Sequence, residues 1–360
     1  MRRRGKGVRG RFLFFFLVSP FFVSACNHSS SPPFTVTEQR EACSNYQPLR
    51  QPFFGETHVH TSFSFDAYVL STRNDPFAAY RFAKGEAVPL PGPLAVGGEP
   101  QSRVAQINKP LDFTAVTDHA ELFGEMQICT RSAAGTPGSN SLACQQMLTE
   151  QPNPGPGGEV DPLTVAGIWA LNPTLRPDGA GHLPFCAAPG VDCDGAAVSI
   201  WQTVQEAAEA NYDRSSACNF TTFVAYEYTP QPQFDNLHRN VIFRNDRVAK
   251  APISNIETGG PFPPVLWQML TDQCLNAGNG CDVLTIPHNA NLRLYPEDPA
   301  GRMFPDPKDQ NEAKTRAAFE PLVEILQHKA GSNAASTAWR RRECKRWMSS
   351  APSSNPPRRF

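Results

Sequence analysis

The chain has 360 residues, 40% of them hydrophobic and 19% charged, which suits a folded body of one large domain or two small ones. The formal net charge is −1, but residues 1–11 and 331–360 together hold 13 basic residues and one acidic residue. The residues between them therefore carry a net charge near −13. This argues against a nucleic-acid partner, because phosphate contact needs a basic face.

The amino terminus has the pattern of a secretory signal peptide over residues 1–25. Basic residues precede the apolar run Phe12–Val18, which is too short to span a bilayer. Val-Ser-Ala then precedes Cys26, as in a bacterial lipobox, where the cysteine receives a lipid. An incidental cysteine after an ordinary signal peptide is the alternative. Because Asn27 is not the aspartate that retains such proteins at the inner membrane, we expect an outer-membrane lipoprotein facing the periplasm, anchored only through its lipid.

After a Ser/Pro-rich tether over residues 26–42, the body spans residues 43–330. Apolar, β-branched runs alternate with helical stretches, which is typical of parallel α/β architecture. The expected strands are Phe53–His60, Leu111–Thr117, Phe220–Tyr228, Asn240–Phe243, Val283–Pro287 and Leu322–Gln327. The expected helices are Pro76–Lys84, Glu121–Cys129, Ser199–Tyr212 and Pro264–Leu275. A Cys/Gly/Pro-rich insertion over about 131–195 interrupts this alternation.

The cysteines favour disulfides, because the body holds eight of them in an exported chain and no CxxC pair. Close spacing suggests three bridges, Cys129–Cys144, Cys186–Cys193 and Cys274–Cys281. Elimination then leaves Cys43–Cys218. Spacing alone does not fix connectivity, and the fourth pair is the least constrained.

A histidine pair, His58 and His60, lies at the end of the first expected strand. Side chains two apart on a strand point to the same face, so both can ligate one metal ion. Such a pair alone is weak evidence, since strand histidines are more often structural. Asp66, eight residues after His58, adds an acid on the following loop.

Four further sites bear His, Asp or Glu at the edges of apolar runs. Asp118 and His119 close the second expected strand, and Glu227 lies in the third, where an unpaired buried carboxylate would be costly. His238 precedes the fourth strand and His288 follows the fifth. Each site alone has a structural explanation at about even odds, but their recurrence at strand edges indicates a metal centre.

Together these motifs resemble the PHP (polymerase and histidinol phosphatase) superfamily. The segments GETHVHTSFSFDAY, PLDFTAVTDHAE, FTTFVAYEYT, NLHRNVIF and IPHNANL resemble more closely its exported, uncharacterised branch, the domain-of-unknown-function 3604 family. The resemblance covers about residues 43–328. It implies a distorted seven-stranded β/α barrel with two or three divalent ions, zinc or manganese.

The resemblance also assigns ligands. It implies that His58, His60 and Glu227 bind a first ion, that Asp66 and His119 bind a second with Asp118 beside them, and that Glu227, His238 and His288 surround a third. A hydroxide between ions would attack a small anionic substrate, most simply a phosphoester. Three arginines are candidate clamps for an anionic oxygen, and nothing in the spacing selects among them: Arg239, Arg73 and Arg293.

The sequence departs from the superfamily after His328. The closing Asp-x-His pair is absent, and residues 331–360 contain no Val, Ile or Leu, so they cannot form a barrel strand. We interpret them as a frameshifted, basic disordered tail, with a natural basic tail as the alternative. The barrel is therefore expected to lack its last strand.

The expected function is that of a periplasmic metal-dependent hydrolase. A non-catalytic metal-binding lipoprotein with a decayed site is the alternative, favoured by the missing Asp-x-His. An amidohydrolase-type enzyme also opens with a His-x-His pair, but the acid at Asp66, the Thr-Asp-His motif and the lack of an evident strand-end lysine argue against it. The substrate and the oligomeric state are not specified by the sequence.

Overall fold

A computed structural model describes the chain over residues 36–38, 40–90, 103–148, 181–230, 237–260, 262–288 and 307–324. The expected signal peptide with Cys26, Arg293 and the basic tail lie outside these residues. Within the described part of the chain, no helix is both long enough and apolar enough to span a membrane.

The described residues contain eight strands, and they include five of the six expected ones. They are β1 (Gly55–Val59), β2 (Val88–Leu90), β3 (Arg103–Ala105), β4 (Phe113–Val116), β5 (Thr221–Phe223), β6 (Ala225–Tyr228), β7 (Arg239–Phe243) and β8 (Val283–Pro287). The expected strand over 220–228 is split at Val224 into β5 and β6. Residues 322–324 of the sixth expected strand have no strand assignment, and its remainder lies outside the described residues.

Within the described part of the chain, the helices include the four expected ones and three that the sequence pattern did not indicate. They are α1 (Phe65–Val69), α2 (Pro76–Ala83), α3 (Phe123–Met126), α4 (Leu142–Leu148), α5 (Cys193–Asn211), α6 (Pro263–Leu270) and α7 (Gln310–Phe319). Helices α3 and α6 each continue into a π-helical turn, over Gln127–Arg131 and Thr271–Leu275. Helix α5 begins before Ser199 because the Asp192 carboxylate caps it by accepting from the Gly195 amide.

The strands form a mainly parallel arrangement with one reversed member. β1, β4 and β5 pair in parallel, and a parallel bridge from His119 to Glu227 links the end of β4 to β6. β7 pairs antiparallel with both β6 and β8. The expectation of a fully parallel sheet is therefore wrong for β7. Only the ten residues 229–238 connect β6 to β7, whereas a parallel crossover needs about a dozen or more.

The architecture is thus a mixed α/β fold with a parallel sheet and helices. The described residues do not form a closed barrel. β2 and β3 make a separate antiparallel hairpin.

Two apolar clusters lie on opposite faces of the strands. The larger one packs α5 against α2 and α3 and is centred on fully buried aromatic side chains, among them Trp201 and Tyr226, whose rings lie 5.5 Å apart. The smaller cluster holds Ala115, Ala225, Ile242 and Ile286. Strand alternation places Glu227 on the face of Ala225, and His288 on that of Ile286. The smaller cluster therefore packs directly beneath the expected ligands, and we call it the apolar floor.

All four expected disulfides are present. They join Cys43 to Cys218, Cys129 to Cys144, Cys186 to Cys193 and Cys274 to Cys281. Two of them lie in or border the expected insertion, whose residues 149–180 are outside the described part of the chain. Disulfides persist in oxidising environments, so the four bridges point to such a compartment.

Candidate metal centre

The structure gathers five histidines around one carboxylate, that of Glu227, which is 0% exposed. His58 and His60 approach its Oε2 atom, and the other three approach Oε1. The nitrogen–oxygen distances are 3.3 Å for His58, 2.7 Å for His60, 3.5 Å for His119, 2.7 Å for His238 and 2.9 Å for His288. The residues that the sequence singled out along some 230 positions therefore meet at one point.

The end of β1 supplies His58 and His60. The pairing of β1 with β4 is irregular between Glu56 and Val59, and a Glu56 carboxylate oxygen accepts the amides of both Thr57 and His58. The two imidazoles nevertheless share one face, with ring centroids 5.1 Å apart. The alternation argument for this pair is confirmed.

Asp66 and His119 form the next part of the cluster. Asp66 lies in the first turn of α1 and is fixed there by the Ser64 hydroxyl, 2.7 Å away, and the Ala67 amide. Its carboxylate lies 3.0 Å from Nδ1 of His60 and 3.5 Å from Nε2 of His119. Asp66 therefore faces two of the imidazoles that also contact Glu227, but it lies in helix α1 and not on the expected loop.

Asp118 has a different place from the one expected of a ligand. Both of its carboxylate oxygens accept hydrogen bonds from Thr61, one from the amide and one from the hydroxyl at 2.7 Å. Burial raises the pKa of Asp118 to about 6, and the Thr61 hydrogen bonds partly offset that rise. Asp118 fastens the loop after His60 to the end of β4; it is not among the groups that face the ion site.

The reversed direction of β7 explains how His238 reaches the cluster. In a parallel strand, a residue before the strand would lie at the far edge from His288, which follows β8. Because β7 is antiparallel, Arg239 pairs with Pro287, and the His288 amide donates to the His238 carbonyl. Both imidazoles then lie against Oε1 of Glu227, with ring centroids 5.6 Å apart.

Both carboxylates have a pKa well below the ordinary value, although Glu227 is fully buried and Asp66 is mostly buried. Burial would raise the pKa of Glu227, but the electrostatic influence of the surrounding histidines, together with hydrogen bonds from His238 and His288, holds it well below its ordinary value. The pKa of Asp66 is likewise well below its ordinary value, because His60 and His119 outweigh its burial. The site therefore keeps two negative charges that require positive partners.

The imidazoles differ in the direction in which their pKa values are shifted. Burial opposes protonation of His60, but Asp66 and Glu227 raise its pKa to about 10. Burial lowers the pKa of His238 to about 3 and also lowers that of His288, although Glu227 acts in the opposite direction. His238 and His288 thus offer neutral nitrogens, and a cation can take the place of the proton on His60.

The donor set and its spacing suit a divalent ion. His58, Glu227 and His288 place one ligand atom each within 4.8 Å of one another, and so do His60, His119 and Glu227. Nε2 of His58 is buried without a hydrogen-bond partner in the described structure, although Oε2 of Glu227 lies 3.3 Å away. A buried nitrogen directed at a carboxylate across 3.3 Å is suited to share a divalent cation with it. These groups pair the histidines differently from the sets that the resemblance implied.

Glu324 is a member of the site that the sequence did not reveal. It follows α7, and its Oε2 lies 2.8 Å from Nδ1 of His58. The signal was present, since Glu324 lies in the expected strand Leu322–Gln327, but a glutamate without a neighbouring histidine did not match the expected Asp-x-His.

Two of the three candidate arginines, Arg239 and Arg73, are held by other partners and not by the Glu227 cluster. The Arg239 side chain is buried on the other face of β7 from His238, where Nε donates to Glu320 at 2.9 Å. Arg73 is exposed, stacks on the Tyr68 ring at 3.9 Å and donates to the Tyr68 carbonyl. Arg293 lies outside the described residues. The structure therefore corrects the expectation for Arg239, whose guanidinium is committed to Glu320.

A family model described as "Protein of unknown function (DUF3604)" matches residues 47–350. The chain belongs to the DUF3604 family. No curated protein and no solved structure matches it. The family match contains every residue of the Glu227 cluster as well as Glu324.

A second grouping in the DUF3604 chain joins Glu125 of α3 to three residues of the insertion, His182, Cys186 and Cys193. The two sulfur atoms are joined to each other, so they offer no thiolate to an ion. Glu125 is fully buried and is 3.0 Å from Nδ1 of His182, whose Nε2 lies 3.0 Å from Asp194. This grouping is an ion pair that fastens the insertion to α3.

Replacement of His182 with alanine is expected to destabilise the DUF3604 chain by about 1–3 kcal/mol, because the buried Glu125 carboxylate loses its cationic partner and keeps the hydrogen bond from the Leu183 amide. Glu125 first, and then Asp194, raise the pKa of His182 from 6.5 to about 9. The stabilisation is therefore complete below about pH 6.5 and is lost as the pH rises through about 9. Urea unfolding at pH 6.5 and 9.5 measures it. Asp194→Ala, which removes the exposed partner, is the control and should cost less than about 1 kcal/mol.

Proposed function

We propose that this protein is a metal-dependent hydrolase, most simply of phosphoesters. The observation that carries the proposal is the contact of five imidazoles with the two oxygens of Glu227. A structural glutamate is satisfied by two or three hydrogen bonds and has no need of five histidines. Nitrogen and carboxylate oxygen together are the ligands of zinc and manganese sites.

In this proposal, His58 and His288 hold one ion, His60 and His119 hold another, and Glu227 is shared between them. His238 and Glu227 would contribute to a third. Bound divalent ions would polarise the ester and activate a water molecule. The chain supplies the rest: Asp66 neutralises charge on the His60 side, and the apolar floor beneath Glu227 limits the entry of water.

We further propose that the strands belong to a barrel of the PHP type. Two contacts of Glu324 support it. Its amide donates to the Pro287 carbonyl at the end of β8, at 3.1 Å, and its carboxylate reaches His58 at the end of β1. A segment that contacts both outer strands lies where a closing strand of such a barrel would run.

The proposed substrate is a small anionic molecule, because its charge would complement bound cations. The proposed place of action is outside the cytoplasm, on the periplasmic side of the outer membrane. The four disulfides support export, since such bridges are rare in reducing compartments.

Metal analysis and a phosphoester assay test this proposal together. We expect the purified protein to retain zinc or manganese and to hydrolyse an aryl phosphoester when either ion is supplied. The His60→Ala variant should lose metal and hydrolysis together, because it removes the imidazole between Asp66 and Glu227. His182→Ala is the matched control, since it also removes a histidine held by carboxylates, but one outside the cluster.

The outcomes separate the candidate functions. Tight metal binding without turnover of phosphoesters or amides would favour the alternative, a non-catalytic metal-binding protein; the absence of an Asp-x-His pair from the sequence supports that alternative. A wild-type protein that binds neither ion would contradict both. Equal loss of metal in the two histidine variants would show that folding, and not ligation, was measured.

A further inference from the structure

We propose that Glu324 is a positioning residue of the metal centre, which accepts the Nδ1 hydrogen of His58 and so directs Nε2 of His58 at the ion site. This inference rests on the proposed function and deepens it. It assigns a role to a carboxylate that belongs to neither of the candidate ligand groups.

The contact itself has the required geometry. Oε2 of Glu324 lies 2.8 Å from Nδ1 of His58, which is hydrogen-bond distance. The opposite ring nitrogen, Nε2, lies 3.3 Å from Oε2 of Glu227 and has no hydrogen-bond partner within the described residues. Glu324 and Glu227 therefore occupy the two ends of the same imidazole. One end is fixed by a carboxylate, and the other is left to a ligand.

The chemistry of a metal-binding histidine calls for such a partner. Only a nitrogen without a hydrogen can donate its lone pair to a cation. Which nitrogen carries the hydrogen is set by the hydrogen bond that the other one makes. A carboxylate at Nδ1 fixes the hydrogen there, fixes the ring orientation and makes Nε2 a stronger donor.

Glu324 is held in position by the elements around it, as a positioning residue must be. Its amide donates to the Pro287 carbonyl, so its backbone is fixed at the end of β8. Four residues earlier, Glu320 pairs with the buried Arg239 side chain of β7. Phe319, which is 4% exposed, stacks on Trp267 of α6. The segment after α7 is thus fastened to β7, β8 and α6 before it reaches His58.

The side chains next to Glu324 are turned to solvent, whereas the Glu324 side chain is turned inward. Leu322 and Val323 are more than half exposed, whereas only 21% of the Glu324 side chain is exposed. An ordinary surface segment would turn the glutamate outward and the apolar side chains inward. Here the charge is turned inward, towards a histidine, which is the costly choice unless the charge has a function.

The test compares Glu324→Ala with Glu324→Gln by zinc titration of the metal-free full-length protein. We expect the alanine variant to bind zinc about 10–100-fold more weakly, the range for loss of such partners. Glutamine keeps an oxygen that can accept from Nδ1, so it should restore most of the affinity. Val323→Ala is the control from the same segment, because the Val323 side chain is about half exposed and its loss should leave zinc affinity unchanged.

Ring ¹⁵N NMR of His58 gives a second measure that a merely structural role would not change. In the wild type, Nδ1 should carry a hydrogen in both zinc-free and zinc-loaded protein. In zinc-free Glu324→Ala, part of the population should carry it on Nε2 only. Unchanged zinc affinity and an unchanged Nδ1 hydrogen in Glu324→Ala would overturn the inference and leave the proposed function standing.

Failure of the proposed function would give results that differ from those that overturn this inference. If the wild type bound no zinc, the Nδ1 hydrogen in the zinc-free protein would still decide whether Glu324 positions His58. A loss of zinc affinity in Glu324→Ala that glutamine does not restore, together with an unchanged Nδ1 hydrogen, would also overturn the inference.

Discussion

Replacement of Glu227 with glutamine is expected to abolish tight metal binding, with a loss of more than about 100-fold in affinity. That factor is the upper end for residues that only support a ligand, and Glu227 faces both candidate ion positions directly. Glutamine has the same shape but no charge, so packing over the apolar floor is kept while the shared anion is lost. Calorimetric titration with zinc, on protein stripped of metal, measures the change.

The matched control for this variant is Glu121→Gln. Glu121 is also buried and lies near the cluster, where its carboxylate accepts the Thr229 amide at 2.6 Å. Burial raises the pKa of Glu121 to about 8, so the residue is mostly uncharged at neutral pH and glutamine changes little. Equal zinc affinity of wild type and Glu227→Gln would show that the five histidines do not depend on this carboxylate to bind an ion.

Removal of the Cys43–Cys218 bridge by alanine at both positions is expected to cost roughly 5 kcal/mol in the free energy of unfolding. The bridge spans 175 residues, and the chain-entropy model gives roughly that value for a loop of this length. Many domains have only about 5–15 kcal/mol of stability in total, so the variant should unfold at much lower urea concentration or fail to accumulate. Equilibrium urea unfolding under non-reducing conditions measures the loss.

The Cys274–Cys281 bridge provides the comparison. It spans seven residues, for which the same model gives about 2 kcal/mol. Cys274 is fully buried, whereas Cys43 and Cys218 are only partly buried. If packing of sulfur were the main contribution, the Cys274–Cys281 variant would therefore be the less stable of the two. That order of stabilities would contradict the loop-closure explanation.

The sequence was most informative where a local pattern is repeated. His58 and His60 were placed on one face by strand alternation alone, and Glu227 and His288 by their position at the edge of apolar runs. These rules depend only on the covalent geometry of a strand. Three of the four disulfides were also predicted from short spacing, which limits which cysteines can meet, and Cys43–Cys218 was predicted by elimination.

The features that the sequence did not predict depend on contacts between residues distant in the chain. Asp118 has the sequence neighbourhood of a ligand, but Thr61, which lies far from it in sequence, occupies both of its oxygens. The antiparallel direction of β7 could have been predicted from the short β6–β7 connection. It also explains why His238 precedes its strand whereas His288 follows one. Glu324 was not predicted to be a site residue, because its contact with His58 depends on the paths of α7 and β8.

The Cys43–Cys218 bridge also determines how the fold bears mechanical load. A tensile force applied to the chain before Cys43 passes through the disulfide bond to Cys218, which lies three residues before β5 begins. Residues 44–217 form a side loop off this path, and they include β1, β4 and three of the clustered histidines. If the chain were held at its amino terminus, the covalent path of the force would therefore bypass His58, His60 and His119, which are three of the five clustered histidines.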